Sequence, residues 1–377
     1  MSRLRPILPF AILALAAALA QLSLRTLGIE YCLTQLTMAI YYAVVVLGLC
    51  LLMGYAGQVS LGHAAFFAIG GYTTAFLTTH DFSAIQTASW TGILKQAHVL
   101  VARENLYGGS TLSCSPWAAF ILAMLLTLAV AHLIGYPALR LRGHYLAMAT
   151  LGFGLIVNKI VLGTALLGAA DGIQGVPDWH LAPGLTVSGK RALRVENYYV
   201  AFGLMLAVLA LLRNLVRSRA GRALLAIHDR ETAANALGVD TASDKLRAFV
   251  LSALLAATAG VFFTHYTGGI GPSEAGVLKS VRYLALAAAG GMASLWGAAA
   301  VSIALNFLSL RGLFGTYDNA VFGAALILII SLAPEGPLQP LGQWLRRLFG
   351  PSSRRVATAA AGAPPSVSPA ASNPGAQ

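Results

Sequence analysis

The sequence predicts an all-α membrane protein, a polytopic bundle of transmembrane helices, and three observations predict it. The mean hydropathy is +0.73, and only 10% of the residues are charged, against about 25% in a typical soluble domain. Apolar runs of about 20 residues recur along the chain, which is the length of helix that crosses roughly 30 Å of hydrocarbon. Runs such as Phe120–Val130 do not alternate between polar and apolar residues, as the strands of a membrane barrel would.

About ten segments are predicted to be embedded, some of them discontinuous helices. The first could instead be a signal peptide, because Arg3 and Arg5 precede an apolar run that ends Ala18-Leu19-Ala20. The apolar character resumes after Gln21, so an uncleaved helix is favoured. The predicted segments are 7–24, 33–53, 60–78, 116–135, 144–168, 198–216, 248–265, 281–292, 294–310 and 318–333.

The charge distribution predicts the orientation of these segments. Residues 213–247 contain seven basic and four acidic residues, a net charge of +3, whereas loops 80–115 and 169–197 are neutral. Because basic residues collect on cytoplasmic loops, we expect 217–247 and both termini to be cytoplasmic. With both termini on the same side, the number of membrane crossings must be even. A single helix over 281–310 would make it odd, so a break within this stretch is predicted at Gly290-Gly291. The same rule explains the net charge of +12 without nucleic-acid binding.

Two regions of different composition divide the chain. Residues 1–345 are predicted to form the membrane domain. Residues 346–377 begin with Arg346 and Arg347, and residues 350–377 are rich in Pro, Ala and Ser and contain no aromatic residue. Such a composition cannot bury enough apolar surface to fold, so a disordered cytoplasmic tail is predicted.

The loop 217–247 carries the pattern of an exposed amphipathic helix. At about 100° per residue, one face collects small or apolar side chains, interrupted by Arg230. Gly238 follows at the position where helices commonly end in left-handed geometry. The face could bind a partner closely, or it could lie on the lipid headgroups. Its members are Ala223, Ala226, Ile227, Ala233, Ala234 and Leu237.

The residues Glu231–Gly238 resemble the EAA-type coupling loop of ABC importer permeases, whose short helices bind in a cleft of the ATPase subunit. The glycine follows the glutamate by seven residues here, one more than in the usual pattern. The resemblance implies that the loop contacts an ATPase subunit. The residues assigned to this coupling role are Gly221, Arg222, Ala226, Arg230, Glu231, Ala233, Ala234 and Gly238.

A second set of motifs is similar to the LivM-type permease subunits of branched-chain amino-acid ABC importers. The motifs are Gly54–Phe67, Leu141–Leu151, Asp171–Pro177 and Ala333–Gly336, and the similarity spans about residues 35–345. It implies a multi-pass permease of the bacterial inner membrane that translocates Leu, Ile or Val. Related permeases carry urea, short amides or other amino acids, so the substrate stays open.

The same resemblance implies the partners and the cofactors. Such a permease has no ATPase activity, and ATP and Mg²⁺ are bound by separate ATPase subunits. A second, related permease and an extracytoplasmic substrate-binding protein complete the transporter. The stretch Gly184–Arg191 nearly matches a phosphate-binding loop, but it lacks the Ser or Thr that would hold Mg²⁺. No cofactor, metal site or catalytic residue is therefore expected in this chain.

Polar residues within the Gly54–Phe67 motif are the candidate translocation residues. They need hydrogen-bond partners, because an unmet polar group in lipid costs several kcal/mol. They either line the substrate path or hold a re-entrant turn, and both alternatives stay open. The set is Gly57, Gln58, Ser60, Gly62 and His63, together with Thr150. Lys159, deep in segment 144–168, is interpreted as structural.

Two other classes of membrane protein are compatible with the hydropathy. An autonomous ion-coupled secondary transporter would need carboxylates within the membrane. Apart from Glu30 at a helix edge and Asp318 at the first position of segment 318–333, the predicted apolar segments contain none. A membrane scaffold without transport activity is disfavoured by the polar residues near 58–63. The sequence therefore favours the importer permease.

Overall fold

The structure is a computed structural model of the chain. It describes residues 8–83, 100–104, 110–141 and 143–312, and a few positions between 317 and 331. All of them lie in the first of two compact units, Met1–Gln339, and the second unit, Pro340–Gln377, falls outside the described residues. The predicted tail 346–377 and most of the predicted segment 318–333 therefore also lie outside them.

The described residues form ten α-helices, and five helical stretches are long and apolar enough to cross a membrane. Those five are 32–55, 116–138, 144–163, 191–217 and 241–267. The helices are α1 (Leu8–Thr26), α2 (Cys32–Cys50), α3 (His63–Thr79), α4 (Pro116–Ala138), α5 (His144–Gly163), α6 (Arg194–Arg217), α7 (Arg219–Ala236), α8 (Thr241–Thr267), α9 (Val277–Ala289) and α10 (Leu295–Leu310). A π-helical turn, Leu51–Tyr55, extends α2.

Nine of the ten predicted segments coincide with a helix within the described part of the chain. The predicted break at Gly290-Gly291 is confirmed, because α9 ends at Ala289 and Gly291 has a φ of +89°. The next helix begins after Ser294, whose side chain accepts a hydrogen bond from the Gly297 amide at 3.1 Å. A serine at this position satisfies an amide that has no partner within the helix.

The described residues are mostly helical, as the all-α prediction requires, and the connecting loops add short antiparallel strands that it did not include. Backbone groups outside helices still need partners, and pairing two extended segments provides them. The hydropathy pattern of the spans carries no information about such loops. The pairs are β1 (Leu100–Glu104) with β2 (Ser110–Cys114), β3 (Ile173–Gln174) with β6 (Gly269–Ile270), and β4 (Trp179–Ala182) with β5 (Leu185–Val187).

Helix α2 forms the centre of the core. Residues 43–47 are fully buried, and the helix packs against α6, α8, α9 and α10. Helix α1 also contacts the bundle, because the ring of Phe10 lies 5.1 Å from that of Trp296 and Tyr198 donates a hydrogen bond to the Ala17 carbonyl. Whether this first helix is retained or cleaved stays a prediction.

Close packing of α3 against α8 depends on glycine. A Cβ atom at Gly70 would lie 2.3 Å from the Ala257 carbonyl oxygen, and one at Gly260 would lie 2.0 Å from that of Phe67. Small residues at such crossings allow the two backbones to approach, which is how membrane helices gain packing energy. The α3–α8 pair thereby fixes the position of the segment that precedes α3.

Candidate functional site

Helix α7 carries the predicted coupling residues and follows α6 after a single residue. Ser218 begins the helix, and its hydroxyl accepts a hydrogen bond from the Gly221 amide at 3.4 Å. The helix is kinked at Arg230, whose φ of −154° and ψ of 97° are not helical. It ends before Gly238, which has a φ of +84°, so the predicted left-handed termination is confirmed.

The predicted small-residue face of α7 is not a single face, which corrects the sequence-based prediction. Ile227 and Ala234 are buried, whereas Ala226, Ala233 and Leu237 are exposed, Leu237 by 85%. The prediction assumed one regular helix with one exposed face, whereas packing against the bundle buries part of that face. The exposed row that remains consists of Arg222, Ala226, Arg230, Ala233 and Leu237.

The loop between α2 and α3, with the first turn of α3, contains the predicted polar motif, and its backbone amides and the His63 side chain contact three other helices. His63 Nε2 lies 2.6 Å from the hydroxyl of Ser252 on α8. The Leu61 amide donates to Thr150 Oγ1 on α5 at 2.9 Å. The Ala64 amide donates to the hydroxyl of Ser280 on α9 at 3.2 Å.

Gln58, Ser60 and His63 are each less than 5% exposed. The Ser60 hydroxyl accepts from the Gly62 amide at 3.4 Å, within the turn itself. The backbone amide of Gln58 donates to the Leu52 carbonyl at 3.0 Å, whereas the described residues offer its buried side-chain Oε1 no hydrogen-bond partner. These contacts support the structural-turn alternative. A place for the motif in the substrate path stays a prediction.

The structure brings the two predicted sets of residues together, which the sequence did not predict. A cavity of about 370 Å³ lies between the α2–α3 loop, the α4–α5 loop and α7. Gly57 and Gln58 line one wall, and His228 and Glu231 line another. Glu231 also forms an ion pair with Lys245 on α8, with a distance of 2.5 Å between the charged atoms.

Gly57 lies close to α7. Its φ is +67°, a conformation that costs other residues roughly 1–2 kcal/mol. A Cβ atom at this position would lie 2.9 Å from His228 Nδ1 and 3.4 Å from His228 Cα. A movement of α7 therefore presses directly on the turn that holds α3, α5, α8 and α9.

Gly57→Ala is expected to lower both the thermal midpoint of the purified protein and the uptake rate, because it adds a clash with His228 to the backbone strain. Gly184→Ala is the matched control, since Gly184 has a φ of +84° but no heavy atom within 4 Å of a Cβ. Removing the imidazole in Gly57→Ala/His228→Ala should return the midpoint to that of the control. Equal midpoints for the two single variants would show that Gly57 does not bear on α7.

Sequence reasoning missed a charged cluster at the start of α9. Glu274, only 8% exposed, accepts hydrogen bonds from Lys279 Nζ at 3.0 Å and from the Tyr42 hydroxyl at 3.1 Å. Glu274 lies in a Gly- and Pro-containing turn between two predicted segments, so a search for carboxylates within apolar runs did not reach it. The opposite charges five residues apart, beside a discontinuous helix, were the available signal. Lys159 is exposed, and its neighbour Asn158 donates to the Pro272 carbonyl at 3.3 Å.

The comparisons with known proteins agree on one family. The family described as branched-chain amino acid transport system / permease component matches residues 31–330. The chain is 31% identical over 326 residues to the high-affinity branched-chain amino acid transport system permease protein LivM of Salmonella typhimurium. That alignment covers 80% of this chain and 68% of the relative.

Further relatives include the LivM protein of Escherichia coli K12, 30% identical over 80% of this chain and 68% of the relative. The permease protein LivH of Salmonella typhimurium is 26% identical over 80% of this chain and 92% of the relative. No solved structure matches the chain. With a mostly helical fold that contains five candidate spans, the chain belongs to the permease component family of branched-chain amino acid transport systems.

Proposed function

We propose that this chain is a permease subunit of an ATP-driven importer and that it moves branched-chain amino acids across the bacterial inner membrane. The observation that carries the proposal is the construction of α7. Leu224, Ile227 and Ala234 attach the helix to the bundle, while Ala226 and Ala233 face outward. A helix that is anchored on one side and open on the other can receive a partner and transmit its movement.

The movement has a direct route into the membrane domain. An ATPase subunit bound to the exposed row of α7 would displace His228 and Ile227 against the α2–α3 loop. That loop is bonded to α5, and the first two residues of α3, which follow it, are bonded to α8 and α9, so its displacement would reorient helices within the bundle. Alternating access of a central path between this chain and its partner permease would follow from this rearrangement.

The proposed topology places about ten embedded segments in the membrane, with both termini in the cytoplasm. The positive charge of 217–247 and of the tail supports this orientation. The proposed partners are two ATPase subunits, a second permease and an extracytoplasmic binding protein. ATP and Mg²⁺ would be bound by the ATPase subunits, and the described residues contain no group of side chains that could hold a metal ion.

A secondary transporter remains the alternative from another class, and the presence of Glu274 removes one argument against it. The carboxylate is buried, as ion coupling would require, but it is paired with Lys279. Membership in a permease family of transport systems favours the ATP-driven mechanism. The substrate is proposed from the names of the relatives, and urea, short amides and other amino acids are the alternatives.

The test is uptake by the purified chain reconstituted in vesicles with its ATPase subunits, its partner permease and its binding protein. We expect labelled leucine, isoleucine and valine to accumulate with ATP but not with a non-hydrolysable analogue. Uptake of urea in place of these amino acids would replace the proposed substrate. Uptake by this chain alone, driven by an ion gradient without ATP, would establish the secondary transporter.

A further inference from the structure

The cluster around Glu274 lies near the middle of the membrane domain. Tyr42, which donates to the Glu274 carboxylate, is the eleventh residue of the 24-residue apolar stretch 32–55. At 1.5 Å per residue, the tyrosine lies roughly 15 Å from one end of this stretch and about 20 Å from the other. The half-length helix α9 begins at Val277, close to this level. Discontinuous helices that begin at such a depth are typical of substrate sites in transporters.

The donors and acceptors of the cluster are unevenly matched. Glu274 Oε1 accepts from both Tyr42 and Lys279, whereas no described residue donates a hydrogen bond to Glu274 Oε2, which is fully buried. The hydroxyl groups of Tyr72 and Tyr283 are also buried, and the described residues offer them no hydrogen-bond partner. The Tyr283 ring lies 6.0 Å from the ring of Tyr42, which donates to Glu274, and the helix α3 that carries Tyr72 packs against the turn of Glu274.

The three atoms have the chemistry of a receptor for an ammonium group. Glu274 Oε2 supplies a negative charge and accepts, and each tyrosine hydroxyl adds an accepting oxygen. A primary ammonium carries three N–H donors, and these three atoms supply three acceptors that have no donor among the described residues. A buried carboxylate oxygen without a donor is costly in lipid, so a cationic ligand would stabilise the site.

We propose that Glu274 Oε2, with the hydroxyls of Tyr72 and Tyr283, binds the α-ammonium group of the transported amino acid. The inference rests on the proposed function. The α-carboxylate then faces Lys279 and the amino-terminal end of α9, where backbone N–H groups and the helix dipole favour negative charge. The cluster has one acidic and one basic side chain in direct contact, which matches a zwitterion in charge.

Two basic side chains, Lys279 and Arg282, and the turn that carries Glu274 are held in place by neighbouring residues. Lys279 is about three-quarters buried and contacts both Tyr42 and Glu274. The Arg282 guanidinium lies 4.0 Å from the centre of the Phe322 ring. Asn158 on α5 holds the turn through the Pro272 carbonyl. The turn that carries Glu274 is thus held by α2 and α5.

The test uses the reconstituted transporter and compares four variants in the uptake of labelled leucine. Glu274→Gln is expected to reduce uptake at low substrate concentration by on the order of tenfold or more, because a charged hydrogen bond to the substrate is lost. Glu196→Gln, an exposed residue on α6, is the matched control and should transport as the wild type does.

Two further variants separate substrate binding from a structural role. Glu274→Gln/Lys279→Gln removes both charges, and uptake restored in it would show that Glu274 only neutralises Lys279, which would overturn the proposal. Tyr283→Phe removes a hydroxyl without a described partner, so the fold should tolerate it while uptake falls. If Glu274→Gln fails to assemble with the partner subunits, Tyr283→Phe decides alone, and unchanged uptake in it rejects the site.

The outcomes for the site and for the proposed function differ. If the wild type shows no ATP-dependent uptake of leucine, isoleucine or valine, the proposed function fails whatever the variants do. If the wild type transports and Glu274→Gln transports equally well, the function stands and the ammonium site is rejected.

Discussion

Ala233→Arg is expected to abolish ATP-driven uptake while the protein still inserts and folds. Ala233 lies in the exposed row of α7, where a small side chain allows an ATPase subunit to approach closely. An arginine buried in that contact without a partner would cost roughly 3 kcal/mol or more, which is over a hundredfold in the dissociation constant. Copurification of the ATPase subunit and leucine uptake, measured in the same preparation, check the result.

Two neighbouring positions provide the controls for this variant. Asn235→Arg adds the same charge to an exposed position on another side of the same turn, and it should retain docking and uptake. Ala234 is only 2% exposed, so Ala234→Arg should reduce the yield of folded protein before any effect on docking. Normal ATPase recovery with Ala233→Arg would contradict the assignment of this row as the coupling surface.

The helical spans could be predicted from the sequence because lipid imposes a simple requirement. Every backbone group in the hydrocarbon must be paired within its own segment, so long apolar runs become helices. The break at Gly290-Gly291 followed from the same physics combined with the charge rule. The strand pairs in the loops could not be predicted this way, because their partners lie outside the membrane pattern.

The kink at Arg230 marks the limit of periodicity as a predictor. A regular helix places Ala226, Ile227, Ala233 and Ala234 within one face, but packing against the bundle selects only Ile227 and Ala234 for burial. The spacing of residues along the chain also does not indicate which distant segment packs against them. The approach of Gly57 to His228 joins residues about 170 positions apart and arises only when the helices pack.

Glu274 shows a second limit, because the chemical type of the residue suggests the wrong environment for its side chain. A carboxylate in a short turn between apolar runs is typical of an exposed loop, and only the discontinuity of α9 brings that turn among α2 and α3. The apolar pattern therefore located the helices reliably but not the polar turns that enter between them. One such turn carries Glu274, and the α2–α3 loop, which we propose receives the movement of α7, is another.

Gly260→Val is expected to prevent stable folding of the membrane domain. The added Cβ would overlap the Phe67 carbonyl carbon and oxygen of α3, which are backbone atoms and cannot turn aside. Separating α3 from α8 removes the reciprocal contact at Gly70 and costs roughly 3 kcal/mol or more. The yield of monodisperse protein in mild detergent and its thermal midpoint measure the loss.

Gly203→Ala on α6 is the control, because no heavy atom lies within 4 Å of its Cβ position and alanine favours a helix by about 1 kcal/mol over glycine. A wild-type yield for Gly260→Val would mean that α3 and α8 can separate without loss of the fold. The contact also bears on transport, because His63 on α3 is bonded to Ser252 on α8 and both lie beside the α2–α3 loop. Gly260→Ala adds the same Cβ atom at the same close approach to the Phe67 carbonyl oxygen, so it should also lower the yield, the thermal midpoint and the uptake rate.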